Sequence, residues 1–422
     1  MTDLGHEETE LILRETEIDV NRVYRQAVEE TQKKLDDYLR RFKVKDEAKR
    51  KLLGAGEITQ EEYNYWRTGQ IMIGKRWEEM RDTLAQDLHN ANNIARSIVR
   101  GHMPEVYAVN HNYATFQIEK ESKLNTSYTL YDRQTVERII KDQPDLLPPP
   151  GPRMTKRIAE GKDIAWQRGQ IQSVTLQSIL QGESIPNMAR RIARTMGESN
   201  RNATVRYART STTGAENAGR VDAYKRAEGM GIELEQEWLA TLDNRTRHEH
   251  RQLDGMSVKI GVPFKIDGEE IRYPGDPSAP GYLIWNCRCT LVPRVKSVDQ
   301  SNAPRNSKLG SMSYEEWKNE RAEFRANVNT LQAQIGRART VQEVNDIMKR
   351  ASKIDSDLVD LMAMDRQWKG SQAVSEYVSR YASKNPQEWF AECFAEYITS
   401  ADPRVVASEF GKELERLVDK LP

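Results

Sequence analysis

Apolar residues recur at helical spacing in two long stretches of the N-terminal region. One runs from about Leu11 to Arg41 with charges of both signs between the apolar positions, and the other runs from Trp66 to Val99. Each pattern predicts an amphipathic helix that buries one stripe and therefore needs a partner. Between Met103 and Tyr131 the helical period is less clear, because the chain is richer in Tyr, Asn and Thr.

Helical patterns resume near Arg157. The stretch from Ile164 to Leu180 is helix-like and is followed by Gly182. Ser184 is a suitable N-cap for a next helix, because Ile185-Pro186 follows it and Pro is favoured in the first helical turn. A further helical pattern ends at Gly229 and Gly231.

After Glu233 the pattern changes to short alternating segments, which predict strands. They are Glu235–Leu242, Ser257–Ile260, Phe264–Ile266, Glu269–Tyr273, Tyr282–Trp285 and Cys289–Val295. Asp267-Gly268 predicts a tight hairpin turn between two of them. Such a β-rich module is too small for a large core, so a cross-link would help it to fold.

Two linkers divide the chain. Pro144 to Pro152 is proline-rich and predicts a stiff connector, and Asp299 to Ser311 is rich in turn residues. We therefore expect an N-terminal helical region (1–143), a linker (144–156), a helical plus β-rich module (157–297), a second linker (298–312) and a C-terminal helical domain (313–422). The predicted fold class is α+β and mostly α-helical, with long helices around a small β-rich Cys/His module.

Composition narrows the function classes. The 422 residues include 37% hydrophobic and 30% charged residues, and Lys plus Arg equals Asp plus Glu at 64 each. No bulk charge attracts the chain to nucleic acid or anionic membrane. We expect no membrane segment and no secretory signal, because no apolar run is long enough and the N-terminus is acidic. Three cysteines are too few for a disulfide framework, which favours a reducing cytosol.

The residue types that suggest chemistry concentrate near two of these cysteines. Cys287 and Cys289 bring two thiols together if the backbone turns there, and His248 and His250 share a side if their segment is an extended strand. Two thiolates with one or two imidazoles would complete a structural Zn²⁺ site, with Asp243, Asp254 or Asp276 as a substitute ligand. The alternative is that the thiols are small core residues and the imidazoles make ordinary hydrogen bonds. The spacing leaves both interpretations open.

The nearby charges have a bland interpretation and a functional one. Arg245, Arg247, Arg251 and Arg288 could bind phosphate or a partner carboxylate, but ion pairs within the module, with Asp243 for example, are the favoured role. A helix–turn–helix around Gly182 carries arginines on its second helix, and we favour packing over base readout for it.

Enzyme motifs are missing from the chain. It has no GxxxxGK[ST], no GxSxG and no HExxH, so neither a nucleophile nor a peptidase centre is assigned. In the C-terminal region, Glu388, Glu392 and Glu396 share one face of a predicted helix that begins at Asn385-Pro386. That stripe favours a solvated surface.

The central segment resembles the Mu-F-type head morphogenesis proteins, the minor head proteins of tailed phages. The residues that carry the resemblance are Trp238, Thr241, Asp243, Arg247, His250, Asp254, Gly255, Pro274, Gly275, Asp276, Pro277, Asn286, Cys287, Arg288 and Cys289. The closing Asn-Cys-Arg-Cys is its most specific part, and the resemblance covers roughly Ala159 to Val295.

The resemblance implies a non-enzymatic role in head morphogenesis and genome delivery. It implies the portal protein as partner, with capsid or scaffolding protein and packaged DNA as further candidates. It places the chain in the virion, in the head interior or at the portal vertex, after assembly in the host cytoplasm. Two other functions are retained as alternatives: an enzyme effector with a metallopeptidase-like C-terminal domain, and a DNA-binding protein packaged in the head.

Overall fold

The computed structural model describes residues 3–124, 130–142, 153–298 and 306–335, with a few isolated positions between 343 and 407. The chain divides into two units, of which one comprises residues 1–122 and 131–302 and the other residues 123–130 and 303–422. The residues of the central motif all lie in the first unit. Among the described helices, none combines the length and apolar composition that a membrane span needs.

The first unit consists of long helices followed by short strands. Its helices are α1 (Leu4–Arg40), α2 (Lys43–Gly54), α3 (Gln60–Ile71), α4 (Lys75–Ser122), α5 (Arg133–Asp142), α6 (Arg153–Ala159), α7 (Asp163–Leu180), α8 (Ile185–Gly229), α9 (His248–Leu253) and α10 (Gly281–Ile284). Its strands are β1 (Ile232–Leu239), β2 (Ser257–Lys259), β3 (Phe264–Ile266), β4 (Glu269–Ile271) and β5 (Thr290–Val298). The predicted fold class, mostly α-helical α+β, is confirmed.

Helices α1, α4 and α8 pack against one another and form the helical body of this unit. Two apolar clusters fill it. One includes Val20, Tyr24, Val99, Val106 and Tyr207, and the other includes Leu35, Leu84, Leu88, Ile171, Met188 and Ile192. Each such side chain stabilises the fold by about 1.5–3 kcal/mol on burial. The single stripes that the sequence predicted are buried here against their partner helices.

Two helix boundaries differ from the sequence prediction. The pattern from Trp66 to Val99 is split between α3 and α4, because the chain turns at residues 72–74. Helix α4 then continues through Pro104 to Ser122, where the sequence showed no clear period. The polar residues of that stretch are buried between neighbouring helices: Asn110, for example, donates to Thr9 and accepts from Arg220. Tertiary contacts therefore override the weak local pattern.

Helix α8 begins as predicted. The Ser184 side chain accepts from the backbone N–H of Asn187 at 3.4 Å, and Pro186 lies in the first turn. The helix then runs for 45 residues, which corresponds to roughly 68 Å. At Gly219 it touches α4 so closely that an added Cβ would lie 2.4 Å from the carbonyl oxygen of Tyr107. Only glycine permits this crossing.

The turn between α7 and α8 has the helix–turn–helix arrangement that the sequence suggested. Two of its arginines are held in ion pairs, Arg191 with Glu183 at 2.8 Å and Arg194 with Glu198 at 2.7 Å. These pairs fit the structural role that we favoured for this turn over base readout.

The strands form two small antiparallel sheets. One has the order β2-β1-β5, and the other is the β3–β4 hairpin joined by the predicted Asp267-Gly268 turn. Leu239 pairs with Thr290 at one end of the β1–β5 ladder and Ile232 pairs with Val298 at the other. The stretch from Tyr282 to Trp285, expected as a strand, is instead the short helix α10 followed by a bend.

Within the second unit, the described residues form a 3₁₀ turn at Ser307–Gly310 and helix α11 at Tyr314–Ile335. Ser313 and Glu316 cap α11 reciprocally. The predicted helix at Asn385-Pro386 and the Pro144–Pro152 segment lie outside the described residues. Residues 153–156, assigned to the first linker, belong to α6.

Candidate functional site

Buried polar residues follow one face of α8 at alternating intervals of three and four. These residues, here called the α8 ladder, are Thr210, Thr213, Asn217, Arg220 and Tyr224. Each of them hydrogen-bonds the backbone of residues 286–291. The ladder therefore fixes the cysteine segment onto the helical body, since a buried backbone group without a partner would cost about 1–3 kcal/mol.

Most bonds of the α8 ladder are made in its middle. The Thr213 hydroxyl donates to the carbonyl of Cys287 at 2.6 Å. Asn217 accepts from the Leu291 N–H at 2.9 Å and donates to the Cys289 carbonyl at 3.3 Å. Arg220 donates to the Leu291 carbonyl at 2.8 Å. The outer edge of β5 is thus paired with side chains and cannot accept another strand there.

The backbone turns immediately before the two cysteines. Asn286 has a φ of 53°, in the left-handed region where Asn is among the few tolerated residues besides Gly. The N–H of Cys287 bonds back to the carbonyl of Ile284 at 3.2 Å. The turn brings both thiols to one side of the backbone, which is the geometry that a shared metal site requires.

His250 meets these thiols from α9. Its Nε2 lies 2.7 Å from the carbonyl oxygen of Leu283. A carbonyl can only accept, so Nε2 carries the proton and the neutral ring presents the lone pair of Nδ1. That nitrogen lies 3.3 Å from Cys289 Sγ and 3.6 Å from Cys287 Sγ. A histidine oriented by a backbone carbonyl is the usual arrangement at protein metal sites.

The three side chains match the dimensions of a zinc site. Their ligand atoms all lie within 4.8 Å of one another, and all three residues are buried. Bond lengths of about 2.0 Å to nitrogen and about 2.3 Å to sulfur, in tetrahedral geometry, imply N···S separations of about 3.5 Å. The two N···S distances found here, 3.3 and 3.6 Å, lie on either side of that value. His250, Cys287 and Cys289 therefore fit three ligands of a soft-metal centre.

The two thiols differ in acidity. Burial raises the pKa of Cys287 well above its ordinary value. The hydrogen bond from Cys287 lowers the pKa of Cys289 against the opposing effect of burial, and the indole N–H of Trp238 lowers it further. Cys289 is thus the sulfur that more readily carries negative charge in this buried site.

The structure does not bring the other candidate ligands to this centre. His248 lies at the start of α9 rather than on a strand, so it faces a different direction from His250 and contacts Gln252 on the surface. Asp254 accepts from the N–H of Ala240, and Asp276 is held by Arg272. Among the described His, Cys, Asp and Glu residues, no fourth member joins the cluster.

Asp243 has another role. Its two carboxylate oxygens accept hydrogen bonds from both terminal nitrogens of the Arg288 guanidinium at 2.8 Å, and this pairing lowers the pKa of the Asp243 carboxyl group. Arg247, in contrast, donates to the carbonyl of Trp285. The expected ion pairs within the module are therefore present for Asp243 with Arg288, and Arg247 binds backbone instead.

The remaining motif residues shape the module. Trp238 is fully buried and contacts His250 and Phe264 edge to face, and its carbonyl accepts from the N–H of Gly255 at 2.8 Å. At Gly275, which follows Pro274, an added Cβ would lie 2.5 Å from the backbone nitrogen of Gly214. The Pro-Gly-Asp-Pro turn thus packs directly on α8.

Sequence reasoning missed a buried charge network beside the α8 ladder. Arg220, fully buried, pairs with Asp3 at 2.7 Å and lies 3.5 Å from Glu216. Glu216 also pairs with His6 at 2.9 Å. The sequence signal for this network was a run of polar residues on one face of a helix whose other faces carry apolar or small residues. Such a face must find buried partners.

Comparison with known proteins gives a consistent picture for the central segment. Residues 169–292 match the family described as Phage Mu protein F like protein. The chain is 25% identical over 222 residues to the minor head protein GP7 of Bacillus phage SPP1, covering 51% of this chain and 68% of that protein. No match to a solved structure was found.

A second similar protein is an enzyme. The chain is 27% identical over 205 residues to the NAD(+)--arginine ADP-ribosyltransferase EFV of Enterococcus faecalis, covering 48% of this chain and 40% of that protein. Less than half of that enzyme is therefore represented here. All motif residues from Trp238 to Cys289 lie within residues 169–292, the segment that matches the family. Residues 169–292 of this chain are thus similar to the Mu F-like proteins, and the chain is similar to a phage minor head protein.

Proposed function

We propose that this chain is a structural, non-enzymatic minor head protein that binds the portal protein during head assembly. The observation that carries the proposal is the similarity to minor head protein GP7, which extends over 68% of that protein. The described structure supports it, because its buried polar groups hold one element to another. This proposal places the chain in the virion, in the head interior or at the portal vertex, where it would assist genome delivery.

We further propose that a structural Zn²⁺ ion joins His250, Cys287 and Cys289. The soft ligands, their spacing and the orienting carbonyl of Leu283 support it. The ion would connect α9 to the cysteine segment and so stabilise a module of short strands. Three protein ligands leave one tetrahedral position for another donor.

An alternative use of the same residues is a cysteine–histidine catalytic pair. A nucleophilic thiol next to an imidazole is a known arrangement. Here, however, Cys289 is 2% exposed and His250 is 2% exposed, so a substrate could not reach the sulfur without a large opening. The geometry favours a structural metal site over a nucleophilic thiol.

The experiment is co-assembly with the portal and capsid proteins of the same phage. We expect procapsids to contain this chain in fewer copies than the capsid protein, and an affinity-tagged portal to retain it. Arg220→Met should reduce incorporation because it removes a side chain that holds the β-rich module on α8. Glu392→Ala should leave incorporation unchanged.

The enzyme alternative predicts a loss of activity in Glu392→Ala. If this chain modified a host protein and Glu392→Ala abolished that modification while incorporation persisted, the non-enzymatic assignment would be wrong. Absence of the chain from both procapsids and portal complexes would remove the structural assignment itself.

A further inference from the structure

A polar groove lies between the first turns of α1, the middle of α8 and the cysteine segment. Its volume is about 630 Å³, which is within the range of specific binding sites. Five arginines line it: Arg14, Arg209, Arg245, Arg247 and Arg288. All of these residues belong to the first unit, so the groove is complete within it.

Two of the five guanidinium groups are already neutralised by carboxylates. Arg209 pairs with Glu17 at 2.7 Å, and Arg288 pairs with Asp243 at 2.8 Å. Arg247 is different, because it donates to a backbone carbonyl and keeps its full charge. Pairing thus leaves the groove with cationic groups that lack a counter-charge.

Arg14 and Arg245 complete this unpaired set. Within the described ranges, neither guanidinium makes an ion pair or a hydrogen bond. Both residues are exposed, and they line the groove from two different elements, α1 and the loop between β1 and α9. Guanidinium groups on two elements that line one groove can each bind a carboxylate of the same chain.

A second observation also indicates a ligand at the groove. The hydroxyl of Thr212 is buried, with the residue 2% exposed, and has no hydrogen-bond partner among the described residues. Thr212 lines the same groove. Buried hydroxyl groups are ordinarily satisfied, so an unpaired one in the wall of a cavity suggests a partner that arrives from outside.

The acidic residues of the groove decide which anion fits. Glu216 is compensated by His6 and Arg220, but Glu10 lines the groove and makes no ion pair among the described residues, and Glu17 lines it as well. Spaced carboxylates repel a continuous polyanion such as single-stranded DNA. A peptide with separated acidic side chains can place each one opposite an arginine.

We propose that this groove binds an acidic peptide segment of a partner protein, with Arg14, Arg245 and Arg247 receiving its carboxylates. The inference rests on the proposed structural role, because it names the chemistry of the partner surface that docks during head assembly. It predicts a short, exposed, Asp- and Glu-containing segment on that partner.

The test uses the purified full chain and a fluorescein-labelled peptide in which Glu alternates with Ser, with binding followed by anisotropy at low salt. We expect binding that weakens with added salt. The double variant Arg14→Glu/Arg245→Glu should weaken it by about tenfold or more, because two attractions become repulsions. Glu10→Lys should strengthen it. Arg190→Glu is the matched control, since this arginine is exposed on α8 far from the groove.

Three results would overturn the proposal. One is no binding of the alternating Glu–Ser peptide to the parent chain, and another is equal binding of that peptide to the parent and the double variant. The third is tighter binding of a twelve-residue oligothymidylate that the double variant abolishes, which would assign the groove to nucleic acid. If the double variant melts early, Arg245→Ala replaces it. Procapsid incorporation is measured separately, so the groove can fail while the structural role holds.

Discussion

The helical body and the β-rich module of the first unit are stabilised in different ways. The body buries continuous apolar stripes of α1, α4 and α8. The module has short strands and relies on the α8 ladder, a buried ion pair network and a cluster of two thiols and one imidazole. Directed polar contacts therefore position a segment of short strands, and each such contact becomes a point where the fold can be broken.

The largest effect is expected at Arg220, because it serves both regions. In Arg220→Met the carboxylates of Asp3 and Glu216 lose their buried cation. Breaking such a buried pair costs about 3–5 kcal/mol, measured as the free energy of unfolding in urea. Arg194→Met, which breaks the exposed pair with Glu198 on the same helix, should cost less than about 1 kcal/mol. Equal losses would contradict the assignment.

Metal removal tests the module more selectively. With free Zn²⁺ at about 100-fold above its dissociation constant, a structural ion stabilises the folded state by about 2.7 kcal/mol. We expect chelation to lower the melting temperature of the parent chain and to have no effect on Cys287→Ser. His248→Gln, on the surface beside the site, should behave like the parent. A parent chain that binds no zinc would refute the proposed structural metal site.

A smaller loss is expected at Asn217, which satisfies backbone groups of both Cys289 and Leu291. Asn217→Ala leaves the buried N–H of Leu291 without this partner, at a cost of about 1–3 kcal/mol. Asn202→Ala, at an exposed position of the same helix, should cost about 0.5 kcal/mol or less. Chemical denaturation of both variants makes the comparison, and a neutral Asn217→Ala would show that the α8 ladder is dispensable.

The smallest effect is pH-dependent and belongs to the N-terminus. The carboxylate of Glu216 raises the pKa of His6 to about 9. Because the folded-state pKa lies above the unfolded value of about 6.5, the contribution is fully present below about pH 6.5 and is lost as the pH rises through about 9. We expect His6→Gln to be on the order of 1 kcal/mol less stable than the parent at pH 6.

The same pair of proteins should have nearly equal stability at pH 10, where His6 is neutral in both states. The titration of other groups is common to both and cancels in the difference. A stability difference between His6→Gln and the parent that stays constant from pH 6 to pH 10 would show that the ion pair with Glu216 contributes nothing.

The sequence predicted much of this arrangement and missed the rest for definable reasons. Hydrophobic spacing located α1, α7 and the hairpin, because those elements bury one face each. It failed at α4 beyond Met103, where polar residues are buried through contacts with distant helices. His248 was misplaced because two residues separated by one position share a side only on a strand, and the segment is helical.

The site shows the same division. Cys287, Cys289 and His250 were recognisable by residue type and by their resemblance to a known motif. The α8 ladder and its neighbours Asp3 and His6 were not, because their partners lie about 70 to 210 residues away along the chain. Separation of that size leaves no local pattern in a single sequence.

The crossing at Gly219 has a mechanical consequence. Since the backbones of α4 and α8 meet there without an intervening side chain, neither helix can slide along the other unless the two first separate. Shear motion is thereby excluded at this point, and rotation of the helices as one body is the displacement of low cost. Gly219 lies between Asn217 and Arg220, which both bond Leu291 of β5. A displacement of α4 would therefore be transmitted directly to β5.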